Sequence, residues 1–154
     1  MAQYYLDSSA LVKRYVAERG TAWISQVCDT ASGHTIYTVR VSGAEIIAAL
    51  VRRSRAGSLS TLDAQTEAAQ FKADLAYDYQ IVEVTAALVN TAMILAERHA
   101  LRGYDAVQLA AALELQTVLT ASGLPALTLV SADAELNAAA AAEGLTVEDP
   151  NLHP

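Results

Sequence analysis

Cysteine is almost missing from this chain: Cys28 is the only one in 154 residues. No disulfide can form within one chain, which points to a reducing compartment. Long apolar runs are missing too. None approaches the roughly 20 residues of a membrane span without interruption by charge, and the opening MAQYYLDSS lacks the basic segment and long apolar stretch of a secretion signal. A soluble, cytoplasmic protein with no membrane attachment is the expectation. Nor is there a basic excess. The formal charge is −7, whereas proteins that grip nucleic acid non-specifically are usually basic, so any nucleic-acid contact must be local. With three prolines, no charge block and no internal repeat, nothing marks a linker. One domain is expected over residues 1–148, with a loose C-terminal tail over 149–154.

What the sequence does have is apolar residues, 53% of the total, much of the excess being alanine, the best helix former. Such a surplus of small residues permits close helix packing, including across a homodimer. Short β-rich runs alternate with longer helical patterns. Strands are expected at Gln3–Leu6, Thr35–Val39, Ile81–Val84, Leu127–Val130 and Thr146–Glu148. Helices are expected after Asp7 through Tyr15, then over Thr21–Cys28, Ser42–Arg55, Ser60–Tyr79, Ala86–His99, Tyr104–Leu119 and Asp133–Glu143, the last with Gly144 as its C-cap. This alternation predicts an α/β three-layer sandwich, a short parallel sheet flanked by helices.

Four separated acids stand out: Asp7, Glu45, Asp105 and Asp133. Each has an ordinary structural use. Asp7 and Asp133 suit helix N-termini, Ser42 and Glu45 match the S-x-x-E capping box, and Asp105 opposes a helix dipole. Their joint placement points further. In an open parallel sheet, strand C-termini and the helix starts that follow them share one edge, where ligands bind. Asp7, Glu45 and Asp133 each follow a strand and sit at or near a helix start, so three acids converge on one rim; topology alone does not place Asp105. Clustered carboxylates repel unless a cation joins them. With no His or Cys beside them in sequence, zinc is disfavoured, and hard Mg²⁺ is favoured, with Mn²⁺ able to substitute. Such a site suits phosphodiester hydrolysis.

The same residues carry a family resemblance. The segments YYLDSSALVKRYVAERG, AEIIAAL, LRGYDAVQLAAAL and LVSADAELNAAAAAEGL follow the order of landmarks in PIN-domain proteins, and the chain resembles the VapC toxins of bacterial toxin–antitoxin pairs. The resemblance runs from Gln3 to about Val147. It implies a metal-dependent endoribonuclease with Asp7, Glu45, Asp105 and Asp133 as catalytic metal ligands. Ser9 and Ser131 would lie beside them, and the partners would be an RNA substrate and a cognate antitoxin, with a homodimer likewise implied. Ala132 stands where many relatives carry a basic residue, and Leu136 and Asn137 where some carry a further acid, which leaves the count of metals open at one or two.

Rival readings meet specific obstacles. A haloacid-dehalogenase-like phosphatase needs a second Asp two residues after the first, where this chain has Ser9. A receiver domain needs a late Lys, and the lysines are Lys13 and Lys72. A non-catalytic binding module is the alternative from another functional class. Lys13 and Arg14 read as a solvated helix face. Arg52, Arg53 and Arg55 complement the third helix's dipole, with phosphate contact as a second use. Tyr4, Tyr5, Tyr37, Tyr77 and Tyr79 are expected to pack, and His34, His99 and His153 receive no catalytic role.

Overall fold

A computed structural model describes residues 1–154. Five strands, β1 (Gln3–Leu6), β2 (Thr35–Val39), β3 (Gln80–Val82), β4 (Leu127–Val130) and β5 (Thr146–Glu148), form one parallel sheet in the order β3-β2-β1-β4-β5. Successive side chains on a strand point to opposite faces. Tyr5 and Leu129 therefore enter one core, while Leu6 and Val130 enter the other. The first core is closed by α5 (Ala86–His99), α6 (Gly103–Ala121) and α7 (Ala134–Ala142). The second is closed by α1 (Ser8–Leu11), α2 (Thr21–Val27), α3 (Ser42–Arg55) and α4 (Thr61–Tyr77). The three expected layers are present, and no helix is long and apolar enough to cross a membrane.

The alanine surplus is spent mainly in α6, where Ala106, Ala110, Ala111 and Ala112 are all buried. Small side chains on that face let the helix lie close to the sheet and to its neighbours. The third strand begins at Gln80 and ends at Val82, earlier than the β-rich run suggested. The helix expected to reach Tyr15 is an α-turn followed by a 3-10 turn, Val12–Arg14. Tyr77, expected to pack, is 86% exposed, because it ends α4 on the side away from the sheet while Tyr79 turns inward.

Two expectations are corrected near the first helix. Lys13 and Arg14 do not form a solvated face. Lys13 is buried, and its Nζ donates to Glu18 Oε1 (3.1 Å) and Asn151 Oδ1 (3.0 Å). Arg14 donates to the Cys28 carbonyl (3.2 Å) and the Tyr79 hydroxyl (3.0 Å). Residues 149–154 are also not loose. Pro150–Leu152 form a 3-10 turn capped by Asp149, Pro150 is buried, and the His153 ring stacks on Trp23 with centroids 4.2 Å apart. The partners that fix this tail lie at the other end of the sequence, so local composition could not reveal them.

Gly20 is the pivot of this docking. It adopts φ +87°, the left-handed region, and a Cβ there would collide with the Pro150 carbonyl. Gly20→Ala is therefore expected to destabilise the fold by about 3 kcal/mol, from backbone strain and overpacking together. Urea denaturation checks the magnitude, and amide exchange should rise selectively at residues 150–152. An unchanged midpoint would show that the tail contributes nothing to stability.

Candidate active site

The sheet order reverses at β1. From β1 the chain builds outward through β2 and β3, then crosses back to lay β4 and β5 on the other side. Where the order reverses, the helices leaving neighbouring strands diverge and open a crevice at the strand C-termini. Leu6 pairs with Val130, so the next residues, Asp7 and Ser131, meet at this crevice. The Asp7 amide continues the ladder by donating to the Val130 carbonyl (3.1 Å).

Asp7 is only 2% exposed. Its Oδ1 accepts from the Ala10 amide (2.9 Å), capping α1, and Ser9 Oγ lies 2.7 and 2.9 Å from its two oxygens. Ser131 Oγ donates to Oδ2 (2.8 Å) and accepts from the Asp133 amide (3.0 Å). Ser9 Oγ likewise accepts from the Ala132 amide (2.9 Å). The two serines thus hold the Asp7 carboxylate and tie it to the turn that carries Asp133. Burial, the largest influence, raises the Asp7 pKa to about 6; the hydrogen bonds from Ser9, Ala10 and Ser131 pull it down, and the charge of Asp105 adds to the rise.

Glu45 lies in the first turn of α3, but the capping box is not formed. Val41 is the N-cap and supplies no side-chain bond. Ser42 is instead buried inside the helix, accepting from Thr38 Oγ1 (2.9 Å) and Gln108 Nε2 (3.0 Å). Glu45 accepts from Ser8 Oγ (2.7 Å) at one oxygen and from Gln108 Nε2 (3.1 Å) at the other. The S-x-x-E pattern failed as a cap because Ser42 had a stronger claim on it from buried partners on β2 and α6.

Asp105, in the first turn of α6, accepts from Arg102 Nε (3.3 Å). Its pKa is raised, first by burial and then by the charge of Asp133, with Arg102 opposing. Asp133 caps α7 through the Leu136 amide (2.9 Å), and its other oxygen accepts from Arg102 Nη2 (3.2 Å). Glu45, Asp105 and Asp133 line one cleft of about 1100 Å³, together with Ser8, Ser9, Arg52 and Arg102. Asp7 is buried beneath it. Among the carboxylate oxygens of the four acids, only Asp105 Oδ1 has no donor within the chain.

The donor set is entirely hard oxygen, which suits Mg²⁺ or Mn²⁺. No three Asp, Glu, His or Cys side chains gather closely enough to hold a metal as a group. Mg²⁺ does not demand that: it is usually held by one or two carboxylates and keeps several waters. The residues therefore fit a partly hydrated ion better than a closed protein cage.

No protein-family model matches the chain. It is, however, 34% identical over 160 aligned positions to Ribonuclease VapC45 of Mycobacterium tuberculosis, with both chains covered in full. The chain belongs to the VapC ribonuclease family. Two solved structures share this fold at lower identity. PAE2754 from Pyrobaculum aerophilum superposes with a TM-score of 0.65 at 18% identity, covering 99% of this chain and 86% of that one. VapBC2 from Rickettsia felis, solved bound to a DNA fragment from its promoter, gives 0.59 at 14% identity, covering 96% and 98%.

Against this VapC-family background, sequence reasoning missed Ser8, Gln108 and Arg102. Gln108 could have been found: it is the one amide in the apolar stretch AVQLAAAL, and it lies three residues after Asp105, on the same helix face. Arg102 precedes the helix it caps, and only the folded chain brings it to Asp133.

Proposed function

We propose that this chain is an endoribonuclease toxin that hydrolyses RNA phosphodiester bonds with Mg²⁺, or Mn²⁺ in its place, and that a cognate antitoxin restrains it. In this reading the acids Asp7, Glu45, Asp105 and Asp133 form the metal site together, one or two of them holding the ion directly and the others reaching it through its waters. The observation that carries it is the buried Asp7 carboxylate under a cleft lined by three more acids, in a chain of the VapC family. A helix cap needs no such charge, since Asn or Ser caps as well as Asp, and a pure binding module has no use for it.

When bound, the metal supplies a hydroxide-forming water and charge neutralisation at the phosphate. The chain's own groups provide the rest. Ser9 and Ser131 fix the Asp7 carboxylate, Ser8 and Gln108 fix Glu45 from two sides, and Arg52, which has no acidic partner, offers a cation on the cleft wall. With its pKa near 6, Asp7 is ionised at neutral pH and able to hold a cation. The purified chain is expected to cut labelled RNA in Mg²⁺. Failure to cleave any RNA at any divalent concentration would leave the binding-module reading.

The partner reading rests on the cleft's two-sided character. Beyond the acids, its walls are Ala44, Ala48, Val89, Met93 and Ala96, and Met93 and Val89 are exposed. A basic, amphipathic antitoxin segment matches both ends, with apolar residues along α3 and α5 and an Arg on the carboxylates. Gel filtration of the chain co-expressed with its genomic neighbour should show a complex; a homodimer of the free chain is also expected.

Gln108 tests how tightly the site is held. Its Oε1 accepts from the buried Tyr5 hydroxyl (2.7 Å) while its Nε2 holds Glu45. Gln108→Leu is expected to lower cleavage about 10–100-fold, the usual effect of removing a group that orients a metal ligand. It should also destabilise the fold by about 1–3 kcal/mol through the stranded Tyr5 hydroxyl. Wild-type turnover in this variant would show that Glu45 needs no such support.

A further inference from the structure

Arg102 has no place in the four-acid scheme, yet it bridges two of its members, Asp105 and Asp133. Its guanidinium donates from Nε to Asp105 and from Nη2 to Asp133, at 3.3 and 3.2 Å. Charge-assisted contacts of this kind are commonly 2.7–2.9 Å, so both bonds are long. The side chain is 76% exposed and has no other hydrogen-bond partner, and exposed ion pairs hold weakly. Its backbone, by contrast, is fixed: Arg102 is the N-cap of α6, and its carbonyl accepts from the Ala106 amide (2.9 Å). A firmly rooted side chain with a loosely held head can swing without disturbing the fold.

Its position says where it would swing. Arg102 lines the acid-bearing cleft and also a second one of about 520 Å³, formed with Ala132, Asp133, Ala134 and Glu135. Arg102 and Asp133 are the two residues that line both clefts, so a strand running from one to the other passes the Arg102 guanidinium. The cleft's other arginine, Arg52, lies on α3. Elsewhere Arg53 is committed to Glu18, Arg98 to Glu143 and Arg40 to Glu83.

We propose that Arg102 is a substrate-binding residue of this nuclease: its guanidinium rests on Asp105 and Asp133 and is transferred to an RNA phosphate when a divalent cation takes those carboxylates. The inference rests on the ribonuclease reading above. Two cations compete for the same oxygens, and the divalent one is the stronger competitor. The displaced guanidinium carries five donors in a planar fork that matches a phosphate. It leaves the acids at the place where the RNA backbone must approach them, and it offsets the repulsion between that backbone and Glu135.

The full chain carrying Arg102→Ala or Arg102→Lys tests this; the residue is exposed, so both variants fold, as circular dichroism can verify. Mn²⁺ binding is read by electron paramagnetic resonance, and kcat and KM on a short single-stranded RNA are read across a salt series. Arg102→Ala is expected to bind Mn²⁺ about 3–10-fold more tightly, because its internal competitor is gone. It should raise KM more than it lowers kcat, with kcat/KM down about 10–100-fold and the salt slope shallower by about 0.7, one phosphate contact on a single strand. Arg102→Lys should restore the Mn²⁺ affinity and the salt slope but only part of the KM. A clamp that merely holds α6 to α7 predicts the opposite, weaker Mn²⁺ binding and a fall in kcat. That result, or an unchanged KM and salt slope, overturns the proposal. A wild type that binds no Mn²⁺ and cuts no RNA removes the ribonuclease reading along with it.

Discussion

Asp7→Asn is expected to abolish RNA cleavage while making the fold more stable above about pH 6. The activity loss should be on the order of 10³-fold, about 4 kcal/mol of barrier, because the amide keeps the size of the carboxylate but not the charge that holds a cation. The stability gain follows from burial. Asp7 has a pKa of about 6 in the fold and an ordinary carboxylate value when unfolded. Between the two, the folded protein keeps a proton that the unfolded chain has lost, so stability falls as pH rises through that window. Above about pH 6 the loss is complete, on the order of 3 kcal/mol. Asn has no proton to lose and still caps α1. Its advantage over the wild type should be near zero at pH 4, grow toward pH 6 and level off. Urea melts at three pH values would show this. A variant destabilised equally at every pH would mean that hydrogen-bond geometry, and not charge, dominates at this position.

Chelation should have an effect of similar size. EDTA is expected to stop cleavage, Mg²⁺ or Mn²⁺ to restore it, and Ca²⁺ to restore it poorly because its longer, more variable coordination positions the reacting groups loosely. The metal should also raise the melting temperature, since a ligand that binds only the folded state stabilises it, by about 2.7 kcal/mol at one hundred times its dissociation constant. That shift should be larger at pH 7.5 than at pH 5, because the metal must displace a proton from Asp7 at the lower pH. Full activity in excess EDTA would remove the metal mechanism altogether.

Much of this architecture was legible in the sequence because it is written locally. The β-rich run at Leu127–Val130 and the alanine-rich helices announce themselves by period and composition, and the positions of Asp7 and Asp133 after strands follow from the alternation. The acids also have a structural use that coexists with the proposed one: Asp7 and Asp133 do cap helices. What stayed hidden depended on distant partners. Ser42 reads as a cap until Thr38 and Gln108 claim its hydroxyl. Lys13 reads as a surface residue until Asn151 arrives to bury it. The neutralising Arg102 could not be foreseen, because its contact with Asp133 spans 31 residues and a strand crossing.

The clasp between Ser131 and Asp7 joins residues 124 apart in the chain, and this has a consequence for synthesis. The first strand leaves the ribosome early but lies in the middle of the sheet, with one of its two neighbours, β4, still to be made. Until about residue 131 has emerged, Asp7 has its local contacts with Ser9 and Ala10 but neither the ladder bond to Val130 nor the second hydroxyl, from Ser131. A nascent or truncated chain therefore carries the first acid without the pocket that gives it chemistry. Folding is therefore expected to await synthesis of β4 and to be slower than in a domain built from local contacts, since β1 pairs with strands far along the chain on both sides.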